Sequence, residues 1–211
     1  MATAEIKNLR EDGRMSAVMI WIIATSAYAA FWLWYVGFQK KVTPQEVTAT
    51  MCLFEQDGSW TTNQQEHLRK FLLDDDGKDF VMVNLLHLKS PRKESLKKLN
   101  RYQKIFLGAL LLKAGHPVMI ARAASGNVEN VACSHADDWS AAGMIRYRSR
   151  RDLMEILPAT IGSEHHELKL GSLEKTFAFP AAPWFMFGGP KVVVALSIGL
   201  LASVTQIVTA L

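Results

Sequence analysis

The chain has 211 residues, 24 Lys/Arg against 20 Asp/Glu, and a net charge of +4. The tail before Met15 carries three charges of each sign, so the whole excess lies further along. That is far too mild and diffuse for a nucleic-acid footprint, and with 49% hydrophobic residues it is not the composition of a disordered chain.

The charges are absent from two places. Residues Met15–Phe38 and Val192–Leu211 contain no Asp, Glu, Lys, Arg or His. A helix needs about 20 mainly apolar residues to cross a bilayer, so both segments are predicted to span one. The first ends in an aromatic cluster that includes Trp32, Trp34 and Tyr35, then Lys40 and Lys41. Rings of this kind favour the headgroup level, and no small-x-small cleavage site follows, so a retained anchor is expected. With no ionisable residue inside, the spans are expected to anchor or pack rather than carry ions. Small residues such as Ala24 and Ala202 offer surfaces for a neighbouring helix. Lys40, Lys41, Lys175 and Lys191 on the domain side narrowly outnumber Lys7, Arg10 and Arg14 on the tail side. The expected address is a two-pass protein of a bacterial inner membrane with its domain in the cytoplasm.

Residues 1–14 read as a tail, 15–38 as the first span and 39–79 as a lead-in. In the lead-in, Thr43-Pro44-Gln45-Glu46 is a helix start, and Asn63–Leu73 is a short helix. Asp74-Asp75-Asp76-Gly77 lacks calcium-loop spacing and is expected to be a solvated turn. Residues 80–180 form the α+β domain. Phe80–Leu88 is a nearly continuous apolar strand. Glu94–Ala114 is a helix with Leu96, Leu99, Tyr102, Phe106 and Leu110 on one stripe, ended by Gly115. Pro117–Ala124 and Ala141–Arg148 are strands. Ser149 caps a helix that Pro158 ends, and Lys175–Phe179 is a last strand. The order β-α-β then β-α-β is the ferredoxin-like split βαβ arrangement, here inserted between two transmembrane helices. Two helices cover one sheet face, and the other face needs a cover. Residues 181–191 read as an aromatic interfacial loop with Trp184, Phe185 and Phe187, and 192–211 as the second span.

The domain resembles the dimeric α/β-barrel superfamily. Within it, the resemblance is to small uncharacterised bacterial proteins that open with a hydrophobic-Asn-Leu-Leu strand. The residues that carry it are Val83-Asn84-Leu85-Leu86, Tyr102, Gly115-His116-Pro117-Val118, Asp138-Trp139, Ile145–Arg151, His166 and Gly171–Thr176. The members in question are soluble, whereas this chain has two apolar segments. The resemblance implies a fold and a second copy as one possible cover for the open face. The superfamily holds cofactor-free monooxygenases, isomerases and haem enzymes, so it implies no single reaction.

Candidate chemistry is sparse. His165-His166 are adjacent, so they point different ways and lack the His-x3-His spacing of a metal-binding helix. A solvated, hydrogen-bonded loop is expected over a mixed metal site with His135 and Asp137, and one of the two histidines is the candidate acid/base. His87 is read as a core histidine or a cavity residue. Tyr147 and Arg146 project to opposite faces of their strand; if Tyr147 points inward, Arg146 and Arg148 face water or a partner. Arg148, Arg150 and Arg151 form a basic cluster that suits acidic lipid, a partner, or plain solvent. Cys52 and Cys133 have no metal or redox spacing and read as two separate buried thiols. No GxSxG, GxGxxG or P-loop is present.

Two functions follow as expectations. The first is a non-catalytic accessory or assembly subunit of a larger membrane complex, touching the bilayer and other subunits or a second copy of itself. The alternative is a membrane-anchored oxygenase or isomerase acting on a small apolar molecule, with His87, Tyr147, His165 and His166 as candidates. No metal, cofactor or nucleic acid is expected.

Overall fold

The computed structural model describes residues 2–58, 60–129, 131, 139–159, 164–184 and 188–210. The chain divides into two compact units, Met1–Gly37 with Trp184–Leu211, and Phe38–Pro183.

The first unit is a pair of packed helices, α1 (Ala2–Tyr35) and α7 (Pro190–Ala210). Ala24 and Ala202 are buried on their helices, as close helix approach favours. Ile22, Ile23, Leu196, Leu200 and Val208 are exposed. Both helices are long and apolar enough to cross a membrane. The sequence reading missed one polar link: Trp21 Nε1 donates to Gln206 Oε1 at 2.8 Å. Tyr28 Oη also donates, to the Lys191 carbonyl at 3.3 Å.

The second unit starts with α2 (Pro44–Asp57) and α3 (Thr62–Leu73). Each opens on a capping box, Thr43 with Glu46 and Thr61 with Gln64. The lead-in is therefore folded structure. Val47, Met51, Phe54 and Leu72 are its core, joined by Met154 from α5 (Arg150–Ile156).

The sheet is built from β1 (Phe80–Leu88), β2 (His116–Arg122), β3 (Ala141–Tyr147) and β4 (Leu173–Ala181). Its order is β2-β3-β1-β4, with every pair antiparallel. With α4 (Arg92–Leu112) between β1 and β2, and α5 and α6 (Glu164–Leu170) between β3 and β4, this is the predicted ferredoxin-like arrangement. Asn84 lies opposite Gly143 on one side and Ala178 on the other. Side chains alternate along each strand. Phe80, Met82, Asn84 and Leu86 therefore share a face with Gly143, Ile145 and Tyr147. Val83, Leu85 and His87 share the opposite face with Met144 and Arg146.

Four expectations are corrected. Asp75 is buried, not solvated: its carboxylate accepts from the Val42 amide at 2.8 Å and the Gly77 amide at 3.0 Å. The α4 helix stops at Leu112, and Ala114 rather than Gly115 takes the left-handed conformation at φ 54°. Gly115 is needed for close approach instead, because a Cβ there would sit 2.4 Å from Leu110 Cδ1 and 2.9 Å from the Arg146 carbonyl oxygen. Cys52 is exposed, since it lies on the outer side of α2; Cys133 lies outside the described residues. Arg146 does not face water and is 1% exposed. Its Nε donates to Asp79 Oδ2 at 2.8 Å and its Nη1 to the Ala114 carbonyl at 2.9 Å.

The three arginines of the basic cluster are engaged within this unit. Arg148 donates twice to Asp152, at 2.9 and 3.1 Å. Arg150 stacks over the Phe71 ring at 4.4 Å and lies 3.9 Å from Asp75. Arg151 grips Glu46 at 2.7 and 2.9 Å and donates to the Lys40 and Lys41 carbonyls. The Arg151 guanidinium, then the Thr43 amide and hydroxyl, hold the Glu46 carboxyl well below its ordinary value of 4.5. A carboxyl depressed in the folded state stabilises fully above its unfolded pKa, and that contribution drains away as pH falls through the folded value. Glu46→Gln should therefore lower the melting temperature at neutral pH. In strongly acidic buffer the variant and wild-type melting curves should converge, as circular dichroism would record.

A candidate ligand cavity between helix and sheet

The stripe on α4 does not close down onto the sheet. Between them lies a cavity of about 940 Å³, within the range of roughly 300–1,000 Å³ typical of small-molecule sites. Its existence follows from which residues meet there. On the sheet side β3 presents Gly143 and Ala141, and β4, beyond Asn84 of β1, presents Ala178. A Cβ placed on Gly143 would meet nothing within 4 Å. Small residues in the sheet opposite a helix leave space that larger ones would fill. The helix side presents Leu96, Leu99, Tyr102, Phe106 and Leu107.

One wall is aromatic. Behind the lining, Phe80 stacks on Tyr147 at 5.1 Å and 2°, and Phe71 meets Phe80 edge-on at 5.0 Å. Phe106 lies 6.4 Å from Tyr147 and stacks on Tyr102 at 5.8 Å. These are favourable ring geometries that fix the wall in place. Burial pushes the Tyr102 phenol up to about 12. The Tyr147 phenol is raised further, by burial first and then by Tyr102. Both stay protonated at neutral pH, so they can donate hydrogen bonds but not act as bases.

Among the other polar groups of the lining, Asn84 and Lys169 stand out. Asn84 donates to the Met82 carbonyl at 3.0 Å and the Gly143 carbonyl at 3.3 Å. Its own amide oxygen has no partner among the described residues. Lys169 of α6 lines the cavity half-buried, and burial lowers its ammonium below the ordinary lysine value. It is the one lining amine shifted toward base chemistry.

Of the residues singled out from sequence, Tyr147 alone has a described side chain in this lining. His87 lies on the opposite sheet face. Its Nε2 is 3.7 Å from Glu174, and its Nδ1 is buried with no hydrogen-bond partner among the described residues. His165 and His166 belong to α6, but their side chains lie outside the described residues, as do His135, Asp137, Phe185 and Phe187 entirely. Trp184 is fully exposed, Trp34 is exposed, and Tyr35 is buried, stacking on Phe31 at 5.3 Å. Trp32 is half-buried on α1. Among the described residues no group of three His, Cys, Asp or Glu side chains converges as metal ligands would. Tyr102, Asn84 and Lys169 were missed as site residues. A glycine in mid-strand at position 143 was the available signal, because it weakens a strand unless space is wanted there.

No family model matches the chain, and no curated protein matches it. Several solved structures do. A protein of unknown function from Rhodopseudomonas palustris aligns with a TM-score of 0.48 at 13% identity, covering 61% of this chain and 97% of its own. An uncharacterised NIPSNAP-like domain protein from Burkholderia xenovorans aligns with a TM-score of 0.38 at 10% identity, covering 54% and 91%. A protein bearing the name antibiotic biosynthesis monooxygenase, from Bacteroides thetaiotaomicron, aligns with a TM-score of 0.33 at 10% identity, covering 53% and 95%.

Proposed function

We propose that this chain is a membrane-tethered protein whose ferredoxin-like unit binds a small, mainly apolar molecule in the cavity between α4 and the sheet. The cavity itself carries the reading: about 940 Å³ lined mostly by apolar side chains, with a few polar groups set among them. The tether is the pair α1 and α7, whose large apolar side chains are exposed and would be satisfied by lipid. The membrane of this proposal is a bacterial inner membrane, with the binding unit on its cytoplasmic side.

The protonated phenols and the Asn84 amide orient a ligand rather than attack it. An oxygenase or isomerase acting on the same molecule would use the same cavity, with Lys169 as its candidate base and Tyr147 as a hydrogen-bond donor.

One observation favours the accessory-subunit reading beside it. The face of the sheet away from the helices is apolar and open, with Met119, Phe177 and Phe179 exposed. Exposed apolar surface of this kind marks an interaction site, and a second copy or another subunit of a membrane complex would cover it. Binding in the cavity and cover on the open face are compatible.

The test is photolabelling of the full chain in lipid nanodiscs with dodecanol carrying a diazirine on its chain. Label is expected on Met82, Leu99 and Phe106 as well as on the lipid-facing helices. Label confined to α1 and α7 would overturn the proposal.

A further inference from the structure

The cavity lining has a charge pattern that an ordinary apolar site lacks. Four cations belong to it: Arg92 and Lys93 from the start of α4, Arg122 from the end of β2, and Lys169 from α6. No Asp or Glu is among the described lining residues. The chain as a whole carries nearly as many acids as bases, and elsewhere in this unit Arg146, Arg148, Arg150 and Arg151 sit on carboxylates. The four side chains at the cavity have no ion pair among the described residues. They come from three separate elements, so they are not one solvated helix face.

We infer that the cavity takes an amphiphile with an anionic head, its apolar body between α4 and the sheet and its head at Arg92, Lys93, Arg122 and Lys169. The inference rests on the cavity reading above and names the class of molecule. An anion relieves the mutual repulsion of the cations and makes charge-assisted hydrogen bonds that a neutral head cannot. It also restores to Lys169 the charge that burial penalises. Arg92, Lys93 and Arg122 are exposed, which places them at the rim, where a head can stay partly hydrated while the body is dry. A carboxylate and a phosphate monoester share this chemistry.

Competition against the diazirine-dodecanol label tests it, again on the full chain in nanodiscs of zwitterionic lipid. The competitors are dodecanoate, dodecyl phosphate, dodecanol and dodecyltrimethylammonium. At least one of the two anions is expected to displace label from the cavity at about tenfold lower concentration than dodecanol, the scale of one charge-assisted hydrogen bond. Which anion is stronger identifies the head. Arg122→Gln combined with Lys169→Met should erase the preference of the anions over dodecanol. Equal competition by anions and alcohol, or preference for the ammonium, would overturn the inference while leaving the cavity reading intact. Absence of any label or competition in the cavity would remove both.

Discussion

Arg146→Met should destabilise the ferredoxin-like unit by about 3 kcal/mol, the scale of breaking one partner out of a buried ion pair. Methionine keeps much of the length and volume, so the loss is polar rather than a cavity. The Ala114 carbonyl and the Asp79 carboxylate each lose a donor. The Ala114 carbonyl is in a residue 1% exposed, and the Asp79 side chain is 29% exposed. A buried carbonyl left unpaired costs about 1–3 kcal/mol by itself. Arg146 is also the tie between three places: the strand β3, the turn after α4, and the entry to β1. For a unit of this size a loss of that scale corresponds to roughly 6–12 °C in melting temperature. Thermal melting of the full chain, followed by circular dichroism, would read it. A variant that melts within about 2 °C of wild type would mean the buried guanidinium contributes little.

Gly143→Ile should close the ligand site without harming the fold. The residue faces the cavity at the middle of the sheet, and a side chain there has open space ahead of it. Its φ lies outside the left-handed region, so a β-branched residue can adopt the same backbone. Isoleucine suits a strand better than glycine, which adds a few tenths of a kcal/mol or more. The melting temperature is therefore expected to hold or rise. Photolabelling of Met82, Leu99 and Phe106 is expected to fall by about tenfold or more, the effect of a clash of 1–3 kcal/mol with the ligand. Met144→Ile, on the opposite face, should leave labelling unchanged. Labelling that survives Gly143→Ile would place the ligand elsewhere.

Much of the fold was legible because local signals and tertiary packing agree. Thr43 with Glu46 and Ser149 with Asp152 form the caps their spacing implies. The alternation in Ala141–Tyr147 sets Tyr147 and Arg146 on opposite faces, and β-α-β then β-α-β yields the sheet order observed. What was not legible depends on pairs far apart in the chain. Arg146 alternates like a surface residue, and only Asp79, 67 residues away, makes it a buried one. Asp75 reads as part of a solvated acidic turn until the Val42 amide, 33 residues away, is placed on it. The cavity is the deepest such case. A stripe of Leu96, Leu99, Tyr102 and Phe106 says that α4 packs on the sheet, but not how closely. That distance is set by Gly143, Ala141 and Ala178 on strands paired only in the folded chain. The histidines drew attention by residue type, and His87 proves to lie on the other face.

The most direct measurement is of what the chain carries. Wild type and Gly143→Ile would be expressed side by side, extracted gently, and their bound small molecules recovered into organic solvent for mass spectrometry. Bilayer lipids common to both preparations cancel. The cavity reading predicts a molecule with an apolar body, near one per chain in the wild type and strongly depleted in the variant. The same molecules in the same amounts from both proteins would contradict it.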